Sequence, residues 1–312
     1  MKRSVVMYLN DANRRAAVAS TLFFLLLGVA VFTGLSSLAL LVVPAPIVYL
    51  MEAGYTRRAV GSLAIAFLFS FLTAGWLSMM LLCVSVGILA YLLTQGLRKQ
   101  TIALAIIQSS LLMIAFFLCG FVLATLSGNS FLSALKQQLQ ASIHTNPQLT
   151  QVTNLSASGL LIQLMAEVQL LLPSLMVVFA VSIPIVSLII VRAVHRREGR
   201  TVQPFFRLIR FPRSILPIFV ISFLLVALGI GAKQTVYWQL VNNVWMITAF
   251  LLVIQAISLV WWILSRRRIG LFVIFFLLIL LMVPVVLDLV ILLGAVDQVV
   301  SVRKWIQRFT KS

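Results

Sequence analysis

The chain has 312 residues, of which 62% are hydrophobic and only 10% are charged. A soluble domain carries about 25% charged residues, so this composition excludes an ordinary soluble protein. The 24 basic and 6 acidic residues give a net charge of +18, which in a soluble chain would indicate binding to nucleic acid.

The basic residues form short clusters between long apolar stretches, and this arrangement indicates a polytopic membrane protein instead. If each apolar stretch holds a helical hairpin, every basic residue except Lys136 and Lys233 comes to one side of the membrane. The positive-inside rule places that side, and with it both termini, in the cytoplasm. The clusters are juxtamembrane and lack an aromatic stacking platform, so we expect contact with the lipid bilayer and no nucleic-acid partner.

In chain order, the apolar stretches predict an all-α transmembrane bundle of about eight to ten spans. The last two are the least certain, because Ile269 to Val302 would make about 51 Å of continuous helix, too long for one perpendicular span. Pro284 interrupts that stretch and favours a hairpin. The predicted spans are 16–35, 37–51, 59–75, 77–95, 101–126, 170–194, 214–232, 240–264, 270–283 and 285–302.

Three regions follow from these spans. A five-span bundle covers 1–126, an extracytoplasmic amphipathic segment covers 127–169, and a C-terminal bundle of about five spans covers 170–312, with a basic cytoplasmic loop at 195–213.

The extracytoplasmic segment is predicted to be helical over most of 131–143, with Leu135 and Leu139 on a face that is buried against membrane or bundle. A second helix is then expected to lead into the sixth span. On it, Ser156, Gln163, Glu167 and Ser174 share one face, which is either a solvated surface or the polar lining of an outward-facing pocket.

Motifs for catalysis are missing from the sequence. It contains no P-loop, no GxGxxG after a strand and no HExxH. Its two histidines, His144 and His195, are predicted on opposite sides of the membrane, which excludes a metal site built from several histidines. We therefore expect no enzymatic activity, no cofactor and no metal.

Asp288 lies among apolar residues inside the predicted tenth span. A carboxylate at the centre of a membrane helix costs about 2.5–3.5 kcal/mol, so we expect it to face other helices or a polar cavity, with an amide such as that of Gln255 as partner. It is either a structural acid or a binding group for an ion or substrate. Asp297 shares a helical face with Lys304, which indicates an ion pair or a helix-end interaction.

Two further features are candidates for docking. In the basic loop, Arg207, Arg210 and Arg213 alternate with aromatic and aliphatic residues, which suits contact with anionic lipid or with a cytosolic partner. At the start of the first span, Ala12 and Ala16 belong to a patch of small residues, which favours close internal packing or docking of another membrane subunit.

Several short motifs resemble the YybS-like bacterial integral membrane proteins, a family of uncharacterised function. The resemblance covers nearly the whole chain. It is carried by the entry into the first span from Ala12 to Ser20, Pro44 and Pro46, Leu172-Pro173-Ser174, the stretch from Pro204 to Pro212, and Gly294, Asp297 and Arg303.

That family is distantly similar to the substrate-capturing membrane subunits of energy-coupling-factor transporters. The resemblance therefore implies a bacterial cytoplasmic membrane protein that binds a substrate and is partnered by a membrane coupling subunit and ATPases. Because this is a likeness at the level of fold, the function stays a separate question.

Two hypotheses follow. The chain is a substrate-binding, transport-related subunit that uses Asp288, Gln255, Gln163 and Glu167, or it is a non-transporting scaffold or regulator whose basic loops recruit partners or anionic lipid. A cavity lined by Asp288 or Gln255 would favour the first. A bundle with its polar clusters at the cytoplasmic face would favour the second.

Overall fold

A computed structural model describes residues 2–32, 36–71, 76–99, 101–126, 131–145, 156–198, 211–229, 236–264 and 284–300. Within these ranges the regular structure is entirely α-helical. The helices are α1 (Lys2–Phe32), α2 (Ser36–Val42), α3 (Pro44–Glu52), α4 (Thr56–Ser70), α5 (Trp76–Arg98), α6 (Ile102–Leu126), α7 (Phe131–Thr145), α8 (Ala157–Arg197), α9 (Ile215–Ala227), α10 (Val236–Leu264) and α11 (Pro284–Val300).

Five of these helices are long and apolar enough to cross a membrane, which confirms the predicted class of helical membrane bundle. Their apolar stretches are Asn13–Ala30, Met80–Arg98, Ile102–Leu126, Ala157–Arg196 and Val236–Ile263. On α6, Leu111 and Leu118 are more than half exposed, as expected for side chains that contact lipid. Residues 270–283 lie outside the described ranges, so the ninth span and the total number of spans stay predictions.

The predicted second span is divided into two helices, α2 and α3, which meet at Val43. Pro44 has no backbone N–H to continue the hydrogen bonding of α2, but its fixed φ suits the first turn of a new helix. Val43 and Ile47 on either side of this junction are fully buried. The break therefore lies in the packed interior.

The sequence predicted a helix that leads into the sixth span through Leu172-Pro173-Ser174, and α8 is that helix. α8 runs without interruption for 41 residues, about 60 Å, through Pro173. The Asn243 side chain of α10 compensates for the proline. Its Oδ1 accepts from the backbone N–H of Ser174 at 2.8 Å, and its Nδ2 donates to the Leu170 carbonyl at 2.8 Å. One amide thus bonds to both groups that a helical i→i−4 hydrogen bond joins.

The predicted amphipathic segment forms α7, and its helical structure is confirmed. Leu132, Leu135 and Leu139 are half-buried, whereas Lys136 and Gln137 are exposed. The side chains thus follow the predicted amphipathic pattern.

The chain divides into two compact units, and α8 contributes to both. Unit 1 comprises residues 1–162 and 179–202, and unit 2 comprises 163–178 and 203–312. The predicted regional boundary at 169/170 therefore falls within α8.

In unit 1, α5 packs against α3, α4 and α6, while α1 packs against α2, α3 and α4. In unit 2, α10 packs against α9 and α11 around Ile215, Leu252 and Ile291. At the α10–α11 crossing, Gly294 lies directly against the Leu252 carbonyl, and a Cβ at this position would overlap that oxygen. Glycine is what allows these two backbones to approach so closely.

Candidate functional site

The basic clusters of unit 1 gather at one end, which we call the basic end. It holds the middle of α1 near Asn13–Arg15, the end of α3, the start of α4, the end of α5 and the end of α8. Arg58 of α4 donates to the Asn13 carbonyl at 3.0 Å and to its side-chain oxygen at 2.9 Å. The clusters therefore lie on the same side in the described part of unit 1, as the positive-inside pattern predicted.

The end of α3 is fixed by its backbone. Gly54 adopts φ of 90°, a value that glycine reaches without steric cost. Tyr55 N–H bonds to the Leu50 carbonyl at 2.8 Å and Gly54 N–H to the Met51 carbonyl at 3.3 Å, the pattern of a Schellman motif. Arg98 also donates to the Met51 carbonyl, at 3.0 Å. These contacts hold the last turn of α3, and with it Tyr49 and Glu52, in place.

Glu198 terminates α8 and joins two other helices at the basic end. The Tyr49 hydroxyl donates to Glu198 Oε1 at 2.6 Å, and an Arg15 guanidinium nitrogen lies 3.2 Å from the same oxygen. The side chain of Glu198 is 10% exposed and that of Arg15 is 55% exposed. A short hydroxyl–carboxylate bond is among the stronger hydrogen bonds, whereas an exposed ion pair contributes little. Tyr49 is thus the firmer of these two contacts.

His195 lies one turn before Glu198 and is buried. Its Nε2 lies 2.7 Å from Glu52 Oε2, and its ring centroid is 5.6 Å from that of Tyr49. The two acid contacts therefore connect the last turn of α3 to the last turn of α8.

Beside this cluster lies a pocket of about 420 Å³ between α1, the α2–α3 junction and α8, which we call the α1 groove. Its polar groups come from Arg14, Arg15, Tyr49 and Glu198, and they lie together at the basic end. Away from that end its walls are apolar: Val18, Ala19, Leu22, Val42, Ala45, Pro46, Ile190, Val191 and Val194. The volume falls within the usual range for small-molecule sites, about 300–1,000 Å³.

Arg14 stands apart from the other charged groups of the groove. It is exposed and also lines a second pocket, of about 320 Å³, on the opposite side of Val18 and Leu22. Among the residues that the structure describes, no carboxylate lies within ion-pair distance of Arg14.

The residues predicted for substrate binding do not form one site. Gln255 is buried in unit 2, where its Nε2 donates to Asp297 Oδ2 at 3.2 Å and its Oε1 accepts from Gln298 at 3.0 Å. Asp288 lies about 13 Å before Asp297 along α11 and is exposed in the described ranges, so its partner within the bundle stays a prediction. The predicted covering span, 270–283, lies outside the described ranges. A binding role for Asp288 stays a prediction.

Gln163 and Glu167 are exposed on α8 and lie 3.4 Å apart, amide to carboxylate. Ser174, expected on the same polar face, is instead completely buried beneath Asn243. The proposed common face therefore ends before Ser174, which faces α10.

The docking candidates are only partly described. Ala16 is completely buried, which supports internal packing and leaves its side chain inaccessible to a partner. Arg213 is exposed. The side chain of Ala12, the whole of Arg207 and Arg210, and Lys304, the expected partner of Asp297, lie outside the residues that the structure describes.

The sequence did not lead us to predict a cluster of Tyr49, Glu52, His195 and Glu198. A signal was present, because Glu52 and Glu198 are the acids that lie closest to basic clusters in the first two thirds of the chain beyond α1. An acid placed among juxtamembrane arginines predicts an ion pair at the membrane interface. The hydrogen bond between Tyr49 and Glu198 could be found only from the three-dimensional structure. In the described ranges, no group of three or more metal-binding side chains is present.

Comparison with known proteins identifies a family for the chain but no individual similar protein. Residues 18–298 match the model of a family described as "Predicted membrane protein (DUF2232)". The match covers most of the chain, which therefore belongs to this family of membrane proteins. No curated protein and no solved structure matches it.

Proposed function

We propose that this membrane protein binds an amphiphilic molecule in the α1 groove and acts as a receptor or regulator. The observation that carries this proposal is the polarity of the groove. Two arginines, a tyrosine and a glutamate lie at its basic end, and apolar side chains form the rest of its walls. A ligand that satisfies both parts has a polar head and a hydrocarbon body.

The orientation of the groove follows from charge. The basic end faces the cytoplasm by the positive-inside rule, so the head group lies at the cytoplasmic interface and the hydrocarbon points into the bilayer. In this proposal the protein is a multi-pass protein of the bacterial cytoplasmic membrane with both termini in the cytoplasm, and it is not an enzyme. Anionic lipid and cytosolic partners at the basic loops agree with the same orientation.

Native mass spectrometry of the detergent-purified protein tests the proposal, with Val18→Trp as the blocking variant. Val18 lines the groove and is 61% exposed, so a larger side chain obstructs the groove without replacing a core residue. Val60→Trp is the matched control, because Val60 is 54% exposed on α4 and does not line the groove.

We expect a bound amphiphile on the native protein and on Val60→Trp, and its loss from Val18→Trp. Retention of the amphiphile by Val18→Trp would contradict a site in the groove. Equal loss from both tryptophan variants would also contradict a site in the groove, because the loss would then not depend on where the tryptophan is placed.

A transport-related subunit is a second candidate, and the buried polar cluster of unit 2 favours it. Gln255, Asp297 and Gln298 are each at most 6% exposed on helices predicted to span the membrane. Polar groups at such depth are often part of ion or substrate pathways. This function, similar to that of energy-coupling-factor capture subunits, predicts co-purification with a membrane coupling subunit and ATPases. Isolation of the chain without such partners from its native membrane would count against it.

A further inference from the structure

We infer that the ligand of the α1 groove carries a phosphodiester head group with one net negative charge, as in phosphatidylglycerol, and that Arg14 is its principal head-group contact. This inference rests on the proposed function and adds the chemical class of the ligand.

The charges at the head of the groove limit the net charge of the ligand's head group. Arg14 and Arg15 each contribute one positive charge, and Glu198 contributes one negative charge. Glu198 is held in place by the Tyr49 hydroxyl at 2.6 Å and is only 10% exposed. The charged residues that line the groove in the described ranges thus sum to one net positive charge, which one negative charge neutralises. A head group with two or more negative charges meets the Glu198 carboxylate, and like charges close together are unfavourable.

The two arginines differ in availability. Arg15 is already in contact with Glu198 at 3.2 Å. Arg14 is exposed and has no carboxylate partner among the described residues, and a guanidinium fork matches two oxygens of a phosphate group. Arg14 is thus the side chain from which the site can recruit a phosphate.

The position of the apolar wall indicates that the ligand carries an acyl chain. Arg14, Val18 and Leu22 follow one another at four-residue spacing and so lie along one face of α1, about 12 Å from the first to the last. A head group at Arg14 places an attached acyl chain along Val18 and Leu22, opposite Ile190 and Val191 of α8. Free phosphate or a soluble phosphodiester would leave this wall uncovered, which distinguishes a membrane lipid from a soluble anion.

The test compares lipids with identical acyl chains by native mass spectrometry of the full-length protein. Phosphatidylglycerol, phosphatidylethanolamine and phosphatidic acid carry one, zero and up to two net negative charges, respectively. We expect phosphatidylglycerol to bind more tightly than both others, and glycerophosphoglycerol, its soluble phosphodiester head group, not to compete with it. Arg14→Gln should weaken phosphatidylglycerol binding about fivefold, because one basic residue near the membrane surface contributes about 1 kcal/mol.

Glu198→Gln tests the charge limit directly. It removes the negative charge from the head of the groove and should favour phosphatidic acid over phosphatidylglycerol relative to the native protein. Glu167→Gln, which neutralises an exposed acid in unit 2, is the control and should leave the order unchanged. Tyr49→Phe keeps the Glu198 charge and removes only the hydroxyl contact, so phosphatidylglycerol should stay preferred over phosphatidic acid.

The two proposals fail in different ways. If Val18→Trp abolishes lipid binding but all three lipids bind equally, the groove is a lipid site and the inference about its head group is wrong. If Val18→Trp has no effect on lipid binding, the proposed function itself is wrong. Competition by glycerophosphoglycerol would show that the site recognises a soluble phosphodiester and would overturn the assignment to a lipid.

Discussion

Replacing Asn243 by leucine should destabilise unit 2 more than the same replacement of Asn242, a buried amide whose hydrogen bond stays within its own helix. The Asn243 amide bonds to the Ser174 N–H and the Leu170 carbonyl, both at 2.8 Å, in the stretch of α8 that contains Pro173. Leucine offers neither a donor nor an acceptor. The change therefore leaves two backbone groups of α8 without this partner.

The magnitude follows from those two groups. A buried polar group that loses its partner costs about 1–3 kcal/mol, and interhelical hydrogen bonds in membranes contribute less than this on average. Taking values near the lower limit for each group, we expect Asn243→Leu to lower the free energy of unfolding by about 2–3 kcal/mol. Unfolding by a denaturing detergent titrated into mixed micelles measures this quantity.

Asn242 provides a matched control. It is 7% exposed, against 8% for Asn243, and its side chain donates to the Trp238 carbonyl within the same helix. Asn242→Leu removes no contact to α8 and should cost less than about 1 kcal/mol. A cost for Asn243→Leu no greater than that for Asn242→Leu would refute the bridging role.

The proline itself can be tested in a double variant. Pro173 is exposed, so Pro173→Ala creates no cavity, and it restores a backbone N–H and removes the ring that clashes with the preceding turn. With alanine at this position, the Ser174 N–H can return to the Leu170 carbonyl. Asn243→Leu should then cost at least about 1 kcal/mol less than it does in the native background. Additive effects of the two substitutions would show that the proline does not create the need for Asn243.

Three other predictions concern packing and topology. Gly294→Ala should lower the free energy of unfolding by more than about 1 kcal/mol, because the new Cβ overlaps an α10 carbonyl. Gly120→Ala should not destabilise the protein, because Gly120 has open space around it. Equal free energies of unfolding for the two variants in detergent would contradict this. Leu135→Lys on the half-buried face of α7 should reduce the yield of folded protein in the membrane fraction, and exposed Gln137→Lys should not; equal yields would contradict the amphipathic role. A cysteine placed at Ser312 should resist membrane-impermeant reagents in intact cells. Labelling from outside would show that the predicted final hairpin is wrong.

The helices were largely predictable because their signal is local. Long apolar stretches bounded by arginines predicted α5, α6 and α10 close to their observed bounds, and the spacing of Leu135 and Leu139 predicted α7. Each of these signals comes from residues within a single helix. The break at Val43 was missed because Pro44 was assigned to the interior of a span instead of the first turn of a new helix.

The site was less predictable because its contacts are long-range. Tyr49 and Glu198 are far apart in sequence, and nothing in either segment indicates that their oxygens lie 2.6 Å apart. In the same way, nothing in the sequence around Pro173 indicates that its compensating partner, Asn243, is on another helix. Asp297 rather than Asp288 pairs with Gln255, and these two acids differ only in helical phase and depth.

The central claim is that the α1 groove holds a lipid-like molecule by its anionic head. Electron cryo-microscopy of the protein in nanodiscs containing phosphatidylglycerol tests it most directly. We predict elongated non-protein density between α1 and α8 along Leu22 and Ile190, which ends in a head group against the Arg14 guanidinium. A groove closed by the protein's own side chains, or density there with no head group at the basic end, would contradict the account.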